Sequence, residues 1–99
     1  MGLIEIKVAD QVAQYSTYED GETVCRAIQA ALRENEQVAV SFERVVGVPS
    51  SFVNGLLNDI IADIGLTGIK QRIQITHSTK IINEMLKRKF SLATEIQAV

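Results

Sequence analysis

Apolar and polar residues recur with two different periods along this chain, and each change of period marks an element. Leu3, Ile4, Ile6 and Val8 mix with Glu5 and Lys7 in near period two, which predicts a first strand with one drier face, lying at a sheet edge. Thr17-Tyr18-Glu19-Asp20 then joins a hydroxyl N-cap to carboxylates suited to the positive end of a helix dipole. In the helix expected to follow, Val24, Ile28, Ala31 and Leu32 form one apolar stripe, with Glu22, Arg26, Gln29 and Arg33 on the other side. Gly21 is expected to weaken its first turn by about 1 kcal/mol relative to Ala.

Val38-Ala39-Val40-Ser41-Phe42 is an almost unbroken apolar run, the mark of a central, parallel strand covered on both faces. After a connector ending in Pro49 come Ser50 and Ser51, then Phe52, Val53, Leu56, Leu57, Ile60, Ile61 and Ile64 at helical spacing, a buried stripe. Asn54, Asn58, Asp59 and Asp63 lie away from it, and Gly65 is placed to stop the helix. Arg72-Ile73-Gln74-Ile75-Thr76 alternates as a third strand. His77-Ser78-Thr79 supplies caps for a last helix with the face Ile81, Ile82, Met85, Leu86 and Phe90, and Lys87-Arg88-Lys89 is read as lying at its negative end, or as a contact for an acidic partner. Residues 91–99 carry no decisive period. Strand, helix, strand, helix, strand, helix, joined by right-handed crossovers, predicts a single α/β domain: a small, mainly parallel or mixed sheet with packed helices.

Length supports that simplicity, since 99 residues, 46% of them hydrophobic, suffice for one core without metal or disulfide support. A single cysteine, Cys25, excludes an internal disulfide and a multi-cysteine zinc site, and on the stripe side of its helix it reads as a small core residue. It fits a reducing cytoplasm. The opening Met1-Gly2-Leu3-Ile4-Glu5 lacks the basic end and apolar run of a signal peptide, Ile6 stands where a myristoylation start needs Ser or Thr, and no apolar stretch approaches ~18 residues. Neither a membrane role nor an address outside the cytoplasm is expected. Ten Lys and Arg against twelve Asp and Glu give a net charge of −2, but residues 1–65 carry −6 and residues 66–99 carry +4. Nucleic-acid binding is not expected from a slightly acidic chain whose two Tyr and three Phe are not interleaved with basic residues.

Familiar catalytic and metal motifs are missing. The chain has no glycine-rich phosphate loop, no dinucleotide fingerprint and one histidine, so neither a metal nor a cofactor is expected. Asp59 and Asp63, four residues apart, read as a solvated helix face. If the strands ending at Phe42 and Thr76 are parallel neighbours, the loops that follow open on the carboxyl edge of the sheet, and Ser50-Ser51 and His77-Ser78-Thr79 share one rim. Hydroxyls at a helix N-terminus serve as caps, or mark a place where backbone N–H groups favour an anion, including a phosphate on the serine itself. A serine hydrolase built from Ser50 or Ser51 with His77 finds no support, because no nucleophile elbow precedes the serines and no acid is placed to orient the imidazole.

The segment Val38-Ala39-Val40-Ser41-Phe42-Glu43-Arg44-Val45, followed by Val48-Pro49-Ser50-Ser51-Phe52-Val53-Asn54, resembles the STAS-like family, relatives of anti-sigma factor antagonists. In that family a hydrophobic strand and a short loop lead to a serine pair at a helix start. The likeness extends to Thr17-Tyr18-Glu19-Asp20-Gly21-Glu22 and to Arg72-Ile73-Gln74-Ile75, and so spans most of the chain. It implies a STAS-like domain over residues 1–99 and a non-enzymatic regulatory switch. In the better-understood members the serine is phosphorylated by a histidine-kinase-like ATPase, and phosphorylation releases that partner. Ser50 matches this serine best, with Ser51 beside it. Pro49 stands where those members carry an acidic residue, and Phe52 where they carry glycine. Pro49, Phe52, Asn54, His77, Ser78 and Thr79 complete the rim expected to meet a partner or ligand. Two alternatives stand beside the switch: an accessory interaction domain without phosphorylation, and a module binding a small ligand or nucleotide.

Overall fold

Gln37–Ser41 forms β2, the middle strand of a three-stranded parallel sheet, with β1 (Leu3–Lys7) and β3 (Ile73–Thr76) at its two edges. The computed structural model describes residues 2–97, and side chains as far as Ala93. Register places Ile4, Val38 and Ile73 side by side, and likewise Ile6, Val40 and Ile75. Side chains alternate across a strand, so these six share one face. Val38, Val40, Ile6 and Ile73 on that face are buried in the core. The opposite face carries Glu5, Lys7, Gln37 and Gln74, exposed or half-buried, although the small Ala39 and Ser41 between them are also buried.

The chain leaves β1 through a single turn, α1 (Val8–Gln11), which the period-two pattern did not predict. Val8, read as a strand residue, is the fully buried start of this turn. The next helix, α2 (Tyr18–Glu34), begins as the sequence indicates. Thr17 Oγ1 accepts from the Asp20 N–H at 3.1 Å, and the Asp20 carboxylate accepts in return from the N–H groups of Thr17 and Ser16. This capping box satisfies donors that the helix itself leaves without partners. The far end of α2 is closed by a residue from elsewhere. Arg72 donates to the carbonyls of Leu32 at 2.6 Å, Asn35 at 2.9 Å and Glu36 at 3.0 Å, setting a cation on the negative end of the helix dipole.

Helix α3 (Ser50–Arg72) packs on β2 and β3 and lies against α2. Gly65, at φ 69° and ψ 176°, interrupts it, a backbone conformation essentially reserved for glycine. The stop expected at Gly65 is thus a break, after which helical turns resume through Arg72. Arg72 therefore ends α3, and β3 starts one residue later than expected, at Ile73. By length and composition α3 is apolar enough to cross a membrane. In this fold it is a core helix, burying Phe52, Val53, Leu56, Leu57, Ile60 and Ile69. Last comes α4 (Lys80–Gln97), which buries Ile82 and Leu86 beside α3 and carries the helical pattern through residues 91–97. Met1, Ala98 and Val99 lie outside the described residues.

The α2–α3 crossing is close because it is built on glycine. A Cβ on Gly21 would strike the Phe52 carbonyl oxygen and lie 2.7 Å from the Leu56 nitrogen, and one on Gly55 would strike the Tyr18 carbonyl oxygen. Neither obstacle is a movable side chain. In an open helix, Gly→Ala gains up to about 1 kcal/mol. At this crossing the sign is expected to invert: Gly21→Ala and Gly55→Ala should each lower stability by about 3 kcal/mol, the upper end for overpacking, read from urea midpoints. A gain from either would show that the helices have room to part.

The capping box gives a second expectation. Thr17→Ala should cost about 1 kcal/mol. Asp20 is held below the ordinary carboxylate range, chiefly by the hydrogen bond from the Ser16 backbone; desolvation opposes this, and the side-chain and backbone hydrogen bonds of Thr17 add to the lowering. A carboxylate depressed on folding contributes stability above its unfolded pKa and loses it as pH falls through the folded one. The difference in melting temperature between the protein and its Asp20→Asn variant should therefore be full at pH 7 and shrink on acidification. A difference that is constant with pH would remove the charged capping box from the account.

Candidate functional site

The serine pair sits where β2 hands over to α3, at the carboxyl end of the sheet. Pro49, exposed and extended at φ −77° and ψ 166°, is the N-cap, and its carbonyl accepts from the Val53 N–H at 3.3 Å. Ser50 and Ser51 therefore occupy the first two helical positions and do not cap the helix. No side chain caps this end. The two hydroxyls then differ in surroundings. Ser51 Oγ donates a long bond, 3.4 Å, to the Ser16 carbonyl in front of α2. Ser50 is exposed and opens instead onto a groove between α3 and α4.

That groove, about 320 Å³, is lined from α3 by Ser50, Val53 and Asn54, and from α4 by Met85, Arg88, Lys89 and Leu92. Its composition is two-sided. Val53, Met85 and Leu92 supply apolar surface, and Leu92 is 52% exposed. Arg88 and Lys89 supply positive charge, with the Lys89 ammonium donating to Asn58 Oδ1 on α3. Ser50 and Asn54 add a hydroxyl and an amide at the end nearest the helix N-terminus, where partial positive charge gathers. The arrangement suits a segment with both apolar and acidic groups, or a phosphate carried on Ser50.

The loop after β3 lies beside the loop after β2, as parallel neighbours require. The Phe42 N–H bonds to the Thr76 carbonyl at 2.9 Å, and Thr79 Oγ1 donates to the Val46 carbonyl at 2.6 Å. Within that loop the hydroxyls serve the fold. Thr79 Oγ1 also accepts from the Ile82 N–H as the N-cap of α4, and Ser78 Oγ donates to Asn83 Oδ1 at 2.6 Å. His77 is exposed with φ at 53°, a left-handed conformation uncommon outside glycine. None of His77, Ser78 and Thr79 lines the Ser50 groove. Phe52 also leaves the expected rim: it is fully buried, and its ring meets Tyr15 edge-on with centroids 6.4 Å apart. Asn54 lines the groove, and Pro49, the residue before Ser50, does not.

The α4 wall is only partly legible in the sequence. Lys87-Arg88-Lys89 reads there as complementing a helix end or as contacting an acidic partner, but α4 continues to Gln97, so the run lies mid-helix, beyond reach of the terminal dipole. Successive helical residues point about 100° apart. The run is therefore divided, with Arg88 and Lys89 lining the Ser50 groove and Lys87 lining a second one with Lys70. The usable signal was Met85, Leu92 and the two cations recurring at helical spacing along one side.

Three parallel strands with helices packed on them form an α/β domain that fits the STAS-like class. The chain belongs to the family described as STAS-like domain of unknown function (DUF4325), whose model matches residues 20–83. Neither the comparison with curated proteins nor that with solved structures gives a match.

Cys25 stands apart from this site. It is buried, and its thiol is pushed up to about 11, chiefly by burial and further by the nearby Asp59 carboxylate. A thiol so raised stays protonated and unreactive near neutrality. Folded protein at pH 8 should leave a thiol-disulfide reagent unconsumed, and guanidinium-unfolded protein should consume one equivalent. Rapid reaction of the folded form would place Cys25 among the functional residues.

Proposed function

We propose that the protein is a non-enzymatic regulatory interaction module, docking a protein partner at the α3–α4 groove and switched by phosphorylation of Ser50. A partner of the histidine-kinase-like ATPase type fits both roles, and the buried thiol of Cys25 is consistent with a cytoplasmic setting. One observation carries the reading: both serines are exposed, but Ser50 and not Ser51 lines a groove that combines apolar surface with Arg88 and Lys89. Membership in a STAS-like family supports the same class. The physical step is local. A phosphate on Ser50 adds about −1.5 to −2 charges. Arg88, Lys89 and the N–H groups opening α3 receive that charge, so the cations no longer attract an acidic partner segment, and the phosphate's hydration opposes apolar contact beside it. Affinity falls while the fold persists.

Two measurements test this. Incubation with the candidate kinase and ATP should add one phosphate by intact mass, and none to Ser50→Ala. Ser50→Glu should weaken partner binding about tenfold, or ~1.4 kcal/mol, by calorimetry, with the circular dichroism unchanged. Unchanged affinity together with an unmodified mass would overturn the switch and leave an accessory interaction domain, the reading that Pro49, in place of an acidic residue, favours.

A further inference from the structure

A second groove opens between α3 and α4, lower along the pair. Leu66 and Ile69, from the turns after the Gly65 break, and Phe90 of α4 form its apolar lining, and its polar lining is Lys70, Lys87 and Ser91. Its volume, about 450 Å³, is that of a small-molecule cleft. It shares no residue with the Ser50 groove. Each wall is about one helical turn long, 66–70 on one side and 87–91 on the other, which is short for the several successive anchors of a docked helix.

Charge is unbalanced here. Lys70 and Lys87 are exposed on opposite walls, and among the described residues the ion pair found involves neither of them and no Asp or Glu lines the groove. Two ammonium groups beside one cavity repel, and an anion between them turns that repulsion into two attractions. A bare anion would leave the half-buried Leu66 and Phe90, beside the buried Ile69, open to water. An apolar tail covers them.

We infer that this groove binds an amphiphilic carboxylate, its head held between Lys70 and Lys87 with Ser91 as a further donor, and its acyl or aryl tail laid on Leu66, Ile69 and Phe90. The head gains charge-assisted hydrogen bonds, the stronger kind. The inference does not rest on the Ser50 reading and stands or falls apart from it.

The test is titration of octanoate into isotope-labelled protein followed by amide chemical shifts, with octanol and octyltrimethylammonium as comparison probes. Octanoate should give saturable shifts centred on residues 66–70 and 87–91. Octanol should bind about tenfold more weakly, and the cation should give no saturable shift there. Lys70→Gln combined with Lys87→Gln should cut octanoate affinity about tenfold and leave octanol unchanged; both side chains are exposed, and the spectrum of the free variant reports its fold. Equal binding of octanoate and octanol, shifts scattered elsewhere, no saturation with octanoate, or an unaffected double variant would each overturn the inference. So would a second copy covering the groove, seen as dimerisation in sedimentation that octanoate fails to disperse.

Discussion

The contact between α2 and α3 through Gly21 and Gly55 decides how deep the core is. Each glycine meets backbone atoms of the other helix, so the axes come as near as main chains allow. At that separation Val24 and Ile28 of α2 and Phe52, Leu56 and Ile60 of α3 are all within 1% of full burial over the sheet. A methyl group at the crossing would lever these side chains apart, and dispersion contacts fall off within a fraction of an ångström. The same contact determines where α3 begins. With Tyr18 against Gly55 and Ser51 bonded to Ser16, the start of α3 is pinned beside the capping box of α2, and Ser50 is left on the side that looks toward α4.

Local pattern was a good guide to elements that local forces determine. The run from Val38 to Phe42 marked the central strand, and Thr17 with Asp20 marked the start of α2, because burial and capping act over a few neighbouring residues. Gly21 shows the limit. Propensity assigns it a cost, correctly, but the compensating benefit lies across the crossing, more than thirty residues away in sequence at Phe52 and Gly55. Arg72 is a similar case: it looks like the first residue of a strand until three carbonyls at the end of α2 are found around its guanidinium. Phe52 held two incompatible places, in a buried helical stripe and on an expected rim. Burial settles which, since an aromatic ring gains far more from the core than from a water-facing loop.

The candidate site was legible in half. Ser50 could be placed at the opening of α3 from the strand and connector before it, and the nearness of the two carboxyl-edge loops followed from parallel pairing. The side of α4 facing Ser50 was marked only by the spacing of Met85, Arg88, Lys89 and Leu92, because which side turns inward depends on the rotation of a helix about its own axis against α3. The hydroxyls of Ser78 and Thr79 misled for a related reason: cap and ligand donor look alike in sequence, and only the bonds to Asn83, Ile82 and Val46 reveal that they are already used.

That rotation matters because it apportions the chemistry of both grooves. Each has one wall from α3, within the residues that match the family, and one from the part of α4 beyond residue 83. Turning α4 by a single position would bring Arg88 toward Lys70 and take it from Ser50. What opposes the turn is the packing of Ile82 and Leu86, one turn apart and nearly fully buried, and of the half-buried Met85 and Phe90 against the same core, with the Thr79 cap tied to Val46 and the Lys89 bond to Asn58. The last is a solvent-exposed polar contact of small net strength. Apolar packing that runs from Ile82 to Phe90 therefore fixes the rotation, and with it which cations face Ser50 and which face Lys70.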